Sequence, residues 1–181
     1  MRRWRVSDTR YIVRDGEVVA DDWNVISTAD DAVLPDGKII VPLKRWLAQH
    51  DVPTQRVREL NQPIGVWLDS HEDPAALADS VGRFAVIAVN FPKFTDGRGY
   101  SIAALLRGRH GFKGELRAIG DVLRDQLFYM LRVGFNAFSV RADKDIYDAA
   151  RALKDFTVTY QGSVDQPLPL FKRRRIAETV S

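Results

Sequence analysis

The amino-acid sequence predicts an α/β domain: a mostly parallel sheet built from about four βα units, half-barrel or doubly wound, with an N-terminal β-rich cap. Three observations predict it. Apolar runs at 64–68, 84–89, 116–119 and 135–140 have strand length, and the run at 84–89 is nearly continuous, as in a strand covered on both faces. Segments with apolar residues at helical spacing separate and follow these runs, and the links are short, which calls for right-handed crossovers between parallel strands. Apolar residues make up 45% of the 181 residues, enough for a core and about the length of one domain.

The elements follow in order. Asp15-Gly16 lies between two short apolar runs and suits a tight hairpin turn. Pro35-Asp36-Gly37 is a second turn, ahead of a strand at 39–41. Pro42 then opens a helix that buries Leu43, Trp46 and Leu47. Asp73-Pro74 opens a helix with Leu77 and Val81. The next helix carries Ile102, Leu105 and Leu106, and Asp121 is placed to cap the one after it. Ile146, Ala149, Ala150 and Leu153 mark another helix, and 156–160 reads as a last strand. Residues 1–162 are thus expected to form one domain, with 1–62 as the cap, 63–162 as the βα core and 163–181 as a basic, mobile tail.

Composition excludes several classes. The chain has no cysteine, so it holds no disulfide, thiolate zinc site or cysteine-ligated iron–sulfur cluster. The basic start, 1–5, precedes no apolar run, and no stretch approaches the ~20 apolar residues of a membrane helix. A cytoplasmic location is expected, with no membrane partner. The net charge of +3 disappears without the cluster at 172–175, so nucleic acid is not expected as a partner. Neither GxGxxG nor GxxxxGK[ST] follows any strand, and no cofactor is expected. His50, His71 and His110 lack ligand spacing, and no metal is assigned. Five consecutive apolar residues at 127–131 cannot share one helical stripe, so that helix is covered on two sides or meets another chain, a second copy included.

Chemistry concentrates at 90–101, Asn-Phe-Pro-Lys-Phe-Thr-Asp-Gly-Arg-Gly-Tyr-Ser. It leaves a strand at its carboxyl end, where parallel sheets bind ligands. Gly97 and Gly99 permit close backbone approach, Thr95 or Ser101 caps the next helix, and Lys93 and Arg98 add two cations. With the bare amides of a helix start, these parts describe a site for a small anion. The plain alternative is that Asp96-Gly97 is a turn, Ser101 is a cap and Arg98 pairs with Asp96 or Asp121. A catalytic version makes Lys93 a base or nucleophile, with Asp96 or Asp121 as general acid. Arg117 is a charge inside an apolar strand and needs a partner or a ligand.

The block at 90–101 closely resembles the signature of a proteobacterial family of unknown function. So do the stretches 65–68, 114–118, 120–123, 125–130 and 134–135. Asn90 departs from the acidic residue frequent in that family. The family's genes commonly lie beside that of the sulfite reductase haemoprotein, and its members are labelled oxidoreductases of sulfite reduction. The resemblance implies an accessory role in assimilatory sulfite or sulfate reduction, with the haemoprotein as partner. It singles out Lys93, Thr95, Asp96, Arg98, Arg117, Asp121 and Gln126. The label oxidoreductase finds no flavin or nicotinamide motif here. The other reading is a stand-alone (βα) enzyme acting on a phosphorylated or carboxylated small molecule.

Overall fold

In a computed structural model of the chain, residues 10–27, 34–48 and 62–180 are described, the last four as backbone only. His50 and the basic start at 1–5 lie outside them. Eight strands form one sheet: Arg10–Arg14 (β1), Glu17–Asp21 (β2), Trp23–Val25 (β3), Lys38–Pro42 (β4), Ile64–Leu68 (β5), Val86–Phe91 (β6), Glu115–Gly120 (β7) and Ala137–Phe138 (β8). Among the described residues five α-helices accompany them: Leu43–Ala48 (α1), Arg98–Gly108 (α2), Leu127–Arg132 (α3), Ile146–Ala152 (α4) and Leu170–Val180 (α5). No described helix is long and apolar enough to cross a membrane.

The strand order is β2-β1-β8-β7-β6-β5-β4-β3. Strands β3 to β8 pair in parallel with their sequence neighbours, while β1 is antiparallel to both β8 and β2. The sheet is therefore mixed, which corrects the expectation of a mostly parallel sheet of about four βα units. The physical reason is the Asp15-Gly16 turn. Both residues have positive φ, 52° and 86°, the backbone of a tight two-residue hairpin, so β1 and β2 must run antiparallel. The hairpin does not sit over the core as a cap. It docks on the edge of β8, with Val13 opposite Phe138.

The order also separates the two architectures. From β3 to β8 each strand lies beside its predecessor, so the crossovers always step the same way and there is no topological switch point. The sheet curls into a half-barrel. Its curl is enforced by the chain itself. The two edge strands, β2 and β3, are separated in sequence by Asp22 alone, so Asp21 and Trp23 lie within about 7 Å although seven pairings separate them across the sheet. No ladder joins β2 to β3 among the described residues.

Side chains knit that seam. Asp21 Oδ1 accepts from Trp23 N at 3.2 Å and from Arg117 Nη1 at 2.9 Å. Arg117 Nε donates to Glu115 Oε1 at 2.7 Å, and Arg14 lies 3.6 Å from the same carboxylate. Arg10 Nη2 crosses from β1 to the carbonyl of Trp23 on β3. Arg117 is 1% exposed, so its charge is held in the interior by two acids.

Alternation along the strands sorts the core into two faces. Ile39, Val41, Ile64, Val66, Leu68, Ile87, Val89, Leu116 and Ala118 face the helices, with Leu106, Leu127 and Met130 packed on them. Trp23, Ile40, Val86 and Ala88, with Trp67 and Ile119, form a smaller cluster on the other face. Trp67 Nε1 donates to the Ile26 carbonyl at 2.8 Å, spanning from β5 to the end of β3. Met130 and Leu127 are fully buried while Tyr129 is 57% exposed, so α3 keeps one apolar face inward and one aromatic outward.

Other expectations shift. Asp73-Pro74 starts only a 3-10 turn, Pro74–Leu77, in which Asp73 caps Ala75. Residues 156–160 form no strand, because the place beside β8 is taken by β1, and Phe156, Val158 and Tyr160 are left exposed. Within 163–180, Ser163 Oγ donates to the Arg132 carbonyl, and Arg173 Nη2 to that of Thr159.

The seam makes two adjacent acids unequal. Asp21→Ala leaves a buried arginine short of one partner and is expected to cost about 3–5 kcal/mol in a urea titration. Asp22→Ala removes only the exposed pair with Lys38 and is expected to cost under about 1 kcal/mol.

Candidate functional site

The block at 90–101 begins on β6 and ends on α2. Phe91 is fully buried and dictates the glycine that follows. A Cβ on Gly99 would lie 2.5 Å from Phe91 Cζ, so α2 can approach β6 only with glycine there. Tyr100 meets the same ring edge-on at 5.4 Å, and Phe135 lies 5.8 Å from it.

Beyond Phe91 the loop is held by the next strand. Gly120, at φ 93°, brings the backbone so close that a Cβ would meet the Phe91 carbonyl at 2.4 Å. Asp121 N donates to that carbonyl at 2.7 Å. The Asp121 carboxylate does not cap a helix. Its Oδ2 accepts from Phe94 N at 2.9 Å, and its Oδ1 accepts from Arg141 Nη1 at 2.9 Å. Gln126 completes the clamp: Nε2 donates to the Phe94 carbonyl at 2.8 Å, while Oε1 accepts from Leu123 N at 3.0 Å. Both backbone groups of Phe94 are thus fixed by side chains, yet its ring is 54% exposed. Tyr129, one turn after Gln126, is exposed beside Tyr100, their rings 5.2 Å apart.

The helix start is occupied by the protein's own acid. Asp96 Oδ1 accepts from Arg98 N at 3.2 Å and from its Nε at 2.9 Å, and Oδ2 accepts from Nη2 at 2.7 Å. Arg98 Nη2 also donates to the buried Ser70 hydroxyl at 2.8 Å. The plain alternative read from the sequence, Arg98 paired with Asp96, is the observed arrangement. The role of cap falls to Asp96, with Gly97 at the cap position, and not to Thr95 or Ser101, both exposed. Lys93 is exposed as well. Asp96 N donates to the Lys93 carbonyl at 2.9 Å, and among the described residues no side-chain hydrogen bond or ion pair joins any two of Lys93, Asp96 and Asp121.

The charges respond to this pairing. Arg98 holds the Asp96 carboxyl far below the usual carboxylate range, with the Ser70 hydroxyl adding to the effect. Asp121 is lowered by Arg141 first and the Phe94 amide second. Asp143 is lowered strongly, again by Arg141, whose Nε and Nη2 both reach it. Burial raises the Tyr100 hydroxyl.

Arg117 belongs to a different place. It lies on the face of β7 turned away from the helices, with Asp21 and Glu115 as partners 96 and 2 residues distant in sequence. There it helps line a cavity at the carboxyl ends of β3 and β7, together with Arg141. Arg141 therefore stands between the two regions, holding the loop through Asp121 and bordering the cavity. The buried acid Asp21 carries no sequence signal. The buried arginine did signal a missing partner, but not which one.

The description "bacterial protein of unknown function (DUF934)" fits residues 65–171, more than half of the chain, and the protein belongs to that family. Among curated proteins none matches it.

Three measurements test this geometry. Gly99→Ala is expected to cost about 1–3 kcal/mol by overpacking. Gly97→Ala, whose Cβ would meet nothing nearer than 3.9 Å, is expected to leave stability unchanged or raise it by about 0.4–1 kcal/mol. In a carboxyl-detected NMR titration, Asp121 is expected to titrate below an ordinary aspartate, and Arg141→Gln to return it toward about 3.9. Because the folded-state value is depressed, the stabilisation is complete above about pH 4 and is lost as pH falls through the depressed value.

Proposed function

We propose that this member of the bacterial DUF934 family is an accessory protein of assimilatory sulfite and sulfate reduction in the cytoplasm, and that it works by docking on the sulfite reductase haemoprotein. The observation that carries the reading is the clamp on Phe94. Asp121 and Gln126 fix its amide and carbonyl while the ring stays in solvent, with Lys93 beside it in sequence and Tyr129 exposed one turn beyond Gln126. A buried fold gains nothing from fixing an exposed aromatic. A binding surface does, because a pre-set aromatic anchor avoids the ordering cost of association. The choice of partner is supported by the resemblance carried by residues 90–101. Asp96 and Asp121 are paired with arginines, which favours display over acid–base chemistry.

The test is capture of the purified, folded haemoprotein by the full-length chain. Binding is expected, and Phe94→Ala with Tyr129→Ala is expected to weaken it at least about thirtyfold, the effect of a hot spot worth ~2 kcal/mol, without moving the urea midpoint. A deletion strain is expected to grow on sulfide and not on sulfate. Failure of the two folded proteins to associate, or equal growth on both sulfur sources, overturns the reading.

A further inference from the structure

The face of the sheet turned away from the helices ends in a cavity of about 330 Å³ at the carboxyl ends of β3 and β7, the end at which parallel α/β sheets hold ligands. It is within the lower part of the range of about 300–1,000 Å³ typical of small-molecule sites. Its lining includes the apolar side chains Val25, Ile119 and Ile146. It also includes Arg10, Arg117, Arg141 and Lys144, with Asp21 and Ser139. Arg117 is the informative residue. Its Nε and Nη1 hold Glu115 and Asp21, but Nη2 is buried and has no hydrogen-bond partner among the described residues. A buried guanidinium nitrogen left unpaired costs on the order of 1–3 kcal/mol, and a ligand oxygen would remove that cost.

Charge sets the class of ligand. The lining carries four cations, Arg10, Arg117, Arg141 and Lys144, and one carboxylate, Asp21, while Glu115, Asp121 and Asp143 pair with three of the four from outside it. The lining itself is net cationic, which suits an anionic group. The volume and the apolar lining residues call for a body larger than a bare oxyanion. We propose that this cavity binds a small organic monoanion, a carboxylate on a short aliphatic body, with its charge on the side of Arg117, Arg141 and Lys144 and its body against Val25, Ile119 and Ile146. The site is separate from the Phe94 surface and does not depend on the docking reading.

Calorimetric titration of the full chain tests it, with 4-methylpentanoate as probe and 4-methylpentanamide, ethyl phosphate and sulfate as comparisons. Arg117 also holds the seam of the sheet, so the cavity is altered from its wall by Ile119→Trp and from its rim by Lys144→Glu, with folding checked by circular dichroism. Saturable binding of the carboxylate is expected, at least tenfold tighter than the amide, ethyl phosphate or sulfate, and at least tenfold weaker in each folded variant. No saturable binding at millimolar carboxylate overturns the proposal. So does an amide or an inorganic anion that binds as well, or binding that both folded variants retain.

Discussion

The ion pair between Asp21 and Arg117 is the interaction on which the rest of the structure depends. A sheet of eight strands whose first and last members are neighbours in sequence cannot lie flat. It must bend until its edges meet, and the meeting point needs something other than a ladder to hold it. Asp21 supplies that by accepting from Trp23 on one side and from Arg117 on the other. Burying a guanidinium is costly unless its donors are matched, and here two carboxylates match two of its three nitrogens. The geometry of the half-barrel and the charge balance of its mouth thus follow from the same side chain.

The loop from Phe91 to Gly99 illustrates a second kind of constraint, in which aromatic bulk and glycine determine each other. Phe91 fills the space that Gly99 vacates, which draws α2 against β6 and fixes the height of the loop between them. Three carboxylates in and beside that loop then find an arginine: Asp96 with Arg98, Asp121 and Asp143 with Arg141. These exposed pairs add little to stability singly. Their effect is directional. They hold backbone groups in place and leave Phe94 pointing outward.

Much of the core was legible in the sequence, because strand-length apolar runs and the Asp15-Gly16 turn are local signals. The strand at 64–68 falls where hydrophobicity places it, the strand at 86–91 is shifted two residues beyond the apolar run at 84–89, and the hairpin forms where its turn residues lie. What local signals do not carry is which edge a hairpin joins. Asn136 reaches Asp15 across 121 residues, and Arg117 reaches Asp21 across 96. The run at 156–160 has strand composition, but the pairing position is already filled, so tertiary competition overrides propensity. At the candidate site, the sequence offered Asp96 or Asp121 as the partner of Arg98, and Asp96 holds that place. It identified Gln126 and Asp121 as residues of interest without revealing that both act on the backbone of Phe94.

The docking of β1 on β8 has a consequence for biosynthesis. The hairpin leaves the ribosome early, but the strand that receives it emerges more than a hundred residues later, an interval on the order of ten seconds at ordinary translation rates. Throughout that interval Ile12 and Val13, both destined for burial, sit on an open strand edge able to template association with another nascent chain. Arg10, Arg14 and Glu17 flank them. Besides their places in the finished molecule, these charges serve as gatekeepers for an unfinished one.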